Sequence, residues 1–195
     1  LGVIAGQTQR PAEAIKWLSH ATAINPNYAP AHSNLGLVLQ SLNRSDEALA
    51  SFNRALSIDP EDAETLHVRS SLLGSLKRYE EALQSCNRAL KINPDYPEAL
   101  NNRGNALWVL KRLDDAVASF DRAIILKPDY AEVYNNRGNV LWDLHRHEEA
   151  IASYDVLLLA TDHDAFDYAL LQRHAKLLVD TRGVYLEPAH NVVKA

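Results

Sequence analysis

Four prolines, Pro26, Pro60, Pro94 and Pro128, stand 34 residues apart each time along a chain of 195 residues. A fixed period of this length marks a chain made of stacked copies of one small unit, none of which buries its apolar face alone. Aligned on the prolines, other columns repeat in step. Alanine returns at Ala14, Ala48, Ala82, Ala116 and Ala150, and again at Ala21, Ala55, Ala89 and Ala123. A small residue returns at Gly2, Gly36, Ser70, Gly104 and Gly138, and an apolar, often aromatic, side chain at Leu18, Phe52, Cys86, Phe120 and Tyr154. Leu35, Leu39 and Leu42, then Leu49, Phe52 and Leu56, keep helical spacing, so each unit reads as two antiparallel helices. The small columns let those helices approach closely, and the aromatic column fills the space beside them.

Polar positions repeat too. Acids open each second helix, at Asp46-Glu47, Glu80-Glu81, Asp114-Asp115 and Glu148-Glu149, where they oppose the positive end of the helix dipole. Asp95 with Glu98, and Asp129 with Glu132, have the spacing of a capping box at the start of a first helix. Arg10, Arg44, Arg78, Arg112 and Arg146 recur in the turn between helices and read as structural.

The pattern Asn34-Leu35-Gly36, Ala48, Phe52, Ala55 and Pro60, repeated with small changes, resembles the tetratricopeptide repeat family over residues 1–155. The resemblance implies an all-α fold, a right-handed α-solenoid of antiparallel helix pairs. The expected divisions are a half unit at 1–28 and units at 29–62, 63–96, 97–130 and 131–160. Leu1-Gly2 match the small-residue column, so the array is expected to begin part-way through a unit, with any targeting segment upstream.

From Asp155 the columns fail. Leu157 stands where alanine is expected, Asp162 where proline is, and Gln172 in the small-residue slot. Residues 156–195 resemble the C-terminal end of the nucleotide-sugar (UDP-sugar) dehydrogenase family through Thr161-Asp162-His163, Phe166-Asp167-Tyr168, Val179-Asp180-Thr181-Arg182 and Val193-Lys194-Ala195. In that family the segment is a strand, a helix and a strand of the UDP-binding domain. Two origins stay open: a dehydrogenase fragment joined to a repeat array, or a divergent fifth unit. A lone strand at 156–159 has no sheet to join and would be unstable. Leu157, Leu158 and Leu159 are therefore expected to finish the helix begun near Glu148, followed by a capping helix over 165–178 and an irregular tail over 180–195.

Function follows from which side chains the first helices carry to their shared inner wall. Helical spacing selects Ser33, Asn34 and Leu37, then His67, Val68 and Ser71, then Asn101, Asn102, Asn105 and Trp108, then Asn135, Asn136, Asn139 and Trp142. An amide offers both donors and an acceptor, so a ladder of amides can hold an extended polypeptide through its backbone. The tryptophans add flat apolar contact. The ladder resembles that in the repeat arm of O-linked N-acetylglucosamine transferases and SPINDLY-like bacterial proteins, a likeness carried by Asn34, Asn102 and Asn136 and interrupted at Val68. Relatives that clamp a terminal carboxylate use lysines on this face, and Ser33, His67, Asn101 and Asn135 hold none. The alternative is a solvated surface copied by duplication of one unit. Arg69, Arg103 and Arg137 are expected to pack their stems between units and pair their heads with nearby acids. Glu64, Glu98 and Glu132 make the groove edge acidic, which favours neutral or basic ligands.

Other classes are disfavoured. With 20 Lys+Arg against 25 Asp+Glu the net charge is −5, which argues against nucleic acid or an anionic membrane as partner. No apolar stretch approaches the ~20 residues of a membrane span. Cys86 is the single cysteine and takes the core column, so a disulfide, a cysteine zinc site and a thiol nucleophile are all disfavoured, and the expected location is cytoplasmic. His145 and His147, two apart, are expected to point to different sides of a helix and to make no metal site. The tail matches Asp180, Arg182 and Lys194 come without a dinucleotide fingerprint or a catalytic cysteine or lysine region. The expectation is therefore no enzyme and no cofactor, but a scaffold binding an extended protein or peptide. The alternatives are a glycosyltransferase's substrate-recruiting arm and a passenger fused to a dehydrogenase fragment. Val3, Ile4, Trp17 and Leu18, left partly uncovered, predict end-to-end self-association.

Overall fold

The computed structural model describes residues 11–154 together with the backbone of 157–159, 178–180 and 192–194. The described repeat region is helical: α1 (Pro11–Ile24), α2 (Ala29–Ser41), α3 (Ser45–Ile58), α4 (Ala63–Ser75), α5 (Tyr79–Ile92), α6 (Pro97–Val109), α7 (Leu113–Leu126), α8 (Ala131–Asp143) and α9 (His147–Ser153). The first helices of the repeats, α2, α4, α6 and α8, begin at Ala29, Ala63, Pro97 and Ala131. The chain forms two compact units, Leu1–Leu110 and Lys111–Ala195, and the division falls inside the repeat expected over 97–130.

The turn between paired helices is the most regular local feature. Arg44 N–H donates to the Leu39 carbonyl and Asn43 N–H to that of Gln40, with Asn43 at φ 59°. The same pair of bonds joins Arg78 to Leu73 and Lys77 to Gly74, and Arg146 to Leu141 and His145 to Trp142. This is a Schellman ending, in which one left-handed residue lets the chain reverse and satisfies the last carbonyls. Lys77, Lys111 and His145 hold that left-handed position at φ 60°, 62° and 59°. The arginine that follows lays its guanidinium on the third residue of the next helix, as in Arg44–Glu47 and Arg78–Glu81, both at 2.7 Å, with Arg112–Asp115 and Arg146–Glu149 alike. Arg44, Arg78, Arg112 and Arg146 are thus structural, as expected, and Arg10 lies outside the described residues.

Capping of the first helices differs from expectation. The cap positions of α6 and α8 are Tyr96 and Tyr130, which make no side-chain cap bond, so Asp95 and Asp129 stand one residue too early for the capping box. Prolines or compact residues start these helices instead. Asp62 does cap α4, accepting from the Thr65 backbone N–H at 3.0 Å.

In the first unit, Leu39, Ala48, Leu49, Phe52, Leu72, Leu73, Ala82 and Ala106 form one buried cluster, with Leu56, Leu66, Ala89 and Ala99 in another. Leu42 ends α2 and is exposed, so it leaves the expected core stripe. A Cβ on Gly36 would lie 2.5 Å from the Phe52 ring, and one on Gly138 would lie 2.6 Å from the ring of Tyr154. In the repeat after that of Gly36, Ser70 and Cys86 occupy the same two columns and contact each other. The larger small residue sits on the smaller apolar one, which keeps their joint volume nearer constant.

The tail departs from expectation. Helix α9 stops at Ser153, and Leu157–Leu159 is not its continuation but a strand, β1. It pairs in parallel with β2 (Leu178–Asp180), in register Leu157 with Leu178, and β2 pairs in parallel with β3 (Val192–Lys194). The premise that β1 has no neighbour was wrong, because β2 and β3 supply the missing backbone partners. The expected capping helix over 165–178 falls on 165–177 outside the described residues, and its last residue, Leu178, belongs to β2. The expected irregular tail is extended at Asp180 and at 192–194. Val3 and Ile4 lie outside the described residues. Trp17 is 43% exposed, as expected, whereas Leu18 is only 5% exposed and belongs to the core.

Candidate functional site

Each compact unit carries some of the amide residues singled out by helical spacing. In the first unit, Asn34, Asn102 and Asn105 are partly buried on α2 and α6, and Trp108 is partly buried beside them. Asn101 is only 2% exposed, so its side chain is enclosed by the fold and is withdrawn from a surface role. In the second unit Asn135 and Asn139 are exposed, Asn136 is partly buried and Trp142 is 38% exposed, all on α8. Asn34, Asn105 and Asn135 make no hydrogen bond among the described residues, whereas Asn101, Asn136 and Trp108 are engaged.

Two of the amides are oriented by neighbours, and this was not readable from spacing. Ser70 Oγ donates to the His67 carbonyl at 2.6 Å, so its oxygen accepts from Asn102 Nδ2 at 3.2 Å. The same amide nitrogen lies 3.2 Å from His67 Nδ1. Since Asn102 Nδ2 only donates, Nδ1 accepts, and the imidazole is neutral with its proton on Nε2. Asn102 is left to offer its carbonyl oxygen. Asn139 is fixed the other way: its Oδ1 accepts from the Tyr154 hydroxyl at 2.9 Å, so it offers its amide hydrogens. Burial is the first cause holding His67 below the ordinary histidine range, against the opposing pull of Glu98 and Glu64. Its ring packs on Tyr96 with centroids 5.0 Å apart. Ser33 Oγ is 2.7 Å from Thr65 Oγ1, tying α2 to the start of α4.

Where Val68 interrupts the amides, the inner face between α2 and α4 opens into a groove of about 290 Å³ lined by Leu37, Gln40, Ser41, His67, Val68 and Ser71. None of these carries a formal charge when His67 is neutral.

The inner arginines are not ligand-facing anion sites. Arg69 Nε donates to Asn53 Oδ1 at 2.8 Å and its Nη1 to Ser85 Oγ, joining α3 to α5 through α4. Arg137 repeats the device between Asp121 on α7 and Ser153 on α9, and Arg103 donates to Asn87 at 3.0 Å. The expected acid partner is found for Arg137; for Arg69 and Arg103 an asparagine amide takes its place, because the column 16 residues earlier holds Asn, Asn and Asp. Arg54 and Arg88, not singled out by the sequence analysis, reach back 28 residues to the carbonyls of Pro26 and Pro60, at 3.1 and 3.0 Å. Their 34-residue spacing was the signal available for finding them.

His145 and His147 are closer than expected. His145 sits in the left-handed turn, not in a helix, so their rings meet edge-on at 5.8 Å, with Trp142 at 4.6 Å from His147. Among the described residues no three metal-ligating side chains gather. Cys86 is buried and its thiol is pushed up to about 11 by burial, first of all, which suppresses the thiolate. No helix among the described residues is long and apolar enough to cross a membrane.

Models of the tetratricopeptide repeat match residues 29–62 and 101–169, and a TPR repeat model matches 7–43 and 73–111. No curated protein matches the chain significantly. Among solved structures, MamA from Desulfovibrio magneticus RS-1 superposes with a TM-score of 0.74 at 18% identity, over 78% of this chain and 86% of that one. PilF of Pseudomonas aeruginosa gives 0.72 at 26% identity, over 80% and 71%. YrrB, described as a TPR protein with an unusual peptide-binding site, gives 0.70 at 22% identity, over 78% of each chain.

Proposed function

The chain is built from tetratricopeptide repeats, and from that premise we propose that it is a non-catalytic scaffold that binds an extended segment of another protein through amides on its first helices. The observation that carries the proposal is Asn105 in the first unit and Asn135 in the second, the one partly buried and the other exposed, each without a hydrogen-bond partner among the described residues. Asn34 joins them. Asn102 offers an acceptor to a ligand N–H, and Asn139 offers donors to a ligand carbonyl. A backbone-reading site of this kind needs little from the ligand's side chains. The peptide-binding site named for YrrB supports the same use of the fold here.

The test is a peptide array probed with wild type and with Asn105→Ala plus Asn135→Ala. These two side chains make no internal bonds among the described residues, so folding should be unaffected. Weaker binding across unrelated peptides is the expected outcome, and unchanged binding would sink the proposal.

A second observation bears on the tail. Parallel pairing of β1 with β2 supports reading residues 156–195 as a fragment of dehydrogenase-like sequence, since a divergent helical repeat has no use for strands.

A further inference from the structure

We infer that the groove between α2 and α4 is a side-chain subsite that takes an aliphatic residue flanked by lysine or arginine in the bound segment. This inference rests on the proposed peptide-binding reading and adds specificity to it. Amides read a backbone without preference, so selectivity must come from a place where the ladder stops. Val68 is that place. With Leu37 opposite, it supplies apolar walls, and the groove of about 290 Å³ is the size of one or two side chains.

The floor is kept uncharged by construction. Asn102 holds His67 through Nδ1, Tyr96 covers the ring, and burial favours the neutral form. A ligand carboxylate or ammonium placed inside would lose its water without gaining an opposite charge, whereas an aliphatic side chain loses nothing. The edge is the reverse. Glu64 and Glu98 both act electrostatically on His67, a lining residue, so the potential at that end of the groove is negative. A cation flanking the aliphatic residue meets favourable potential there, and an anion meets repulsion.

The experiment titrates the full chain with three blocked Gly/Ser peptides carrying Lys-Leu-Lys, Lys-Asp-Lys or Glu-Leu-Glu, followed by backbone amide chemical shifts. Lys-Leu-Lys is expected to shift Leu37, Val68 and Ser71, and to bind about tenfold or more tightly than either control. Leu37→Asn, at an exposed position, and Val68→Asn should each remove the preference for leucine. Glu98→Gln should weaken Lys-Leu-Lys and leave Glu-Leu-Glu no worse. Binding of Lys-Leu-Lys that ignores Leu37→Asn and Val68→Asn but is lost with Asn105→Ala would overturn the subsite and keep the amide reading. Binding lost with Leu37→Asn but indifferent to Asn105→Ala would keep the subsite and overturn the amide reading. Absence of any shift at millimolar peptide overturns the subsite.

Discussion

Small residues occupy the first-helix column because an aromatic ring lies directly on them. Gly36→Ala would push a methyl into the fully buried Phe52 ring and should cost about 1–3 kcal/mol, read as a lower urea midpoint. The Ser70–Cys86 pair offers a sharper check. Cys86→Phe alone should destabilise by a similar amount, about 1–3 kcal/mol, and adding Ser70→Gly should recover much of the loss. Simple additivity of the two changes would refute the complementarity. His67 gives a pH prediction. Its folded pKa lies below the unfolded value, so the unfolded chain binds the extra proton first as acid is added. The contribution is absent above the ordinary histidine range and becomes a loss of stability as pH falls through that range toward the depressed value. The urea midpoint should drop between pH 7.5 and 5.5 by more in wild type than in His67→Gln. Which positions were small and which apolar was plain from the columns, because that alternation is local to one helix pair. Which amide hydrogen bonds to which neighbour was not, because Asn102 meets His67 and Ser70 from 35 and 32 residues away.

The turns set the register of the helices. Every described unit reverses through one left-handed residue, a conformation that costs a non-glycine side chain roughly 1 kcal/mol. Lys77→Gly should therefore raise stability by up to about 1 kcal/mol without altering the Arg78–Glu81 pair, measured by thermal melting. No gain would mean that the lysine makes compensating contacts. The helix boundaries at 29, 63, 97 and 131 were legible from the prolines, since the signals that start and stop a helix lie within a few residues of its ends. The capping box failed for the same local reason: the helix begins one residue later than the acid spacing implied, and the spacing alone does not say which residue leaves helical geometry first. At Leu157–Leu159 a correct local judgement, that a lone strand is unstable, gave the wrong element because its partners are 21 residues or more away.

On the scale of the chain, stability in a repeat array comes from neighbours stacked one on the next. Both buried clusters of the first unit are drawn from residues between 39 and 106. A fragment ending at Leu110 should accordingly keep a helical circular-dichroism spectrum and a cooperative melt; a molten, non-cooperative fragment would show that the unit needs the rest of the chain. The inner Arg69 argues the same way, since its bonds to Asn53 and Ser85 lie within that unit.

The period, the helix pairing, the small and apolar columns and the amide-bearing positions were all written in the chain, because each depends on residues a few turns apart in one helix pair. The fold alone decided that Asn101 is enclosed, that Asn102 and Asn139 offer opposite hydrogen-bonding ends, that Val68 opens a neutral groove and that the tail pairs as strands. Those outcomes depend on which distant backbone and side chains arrive beside one another, and a polar group's free valence is known only once its neighbours are in place.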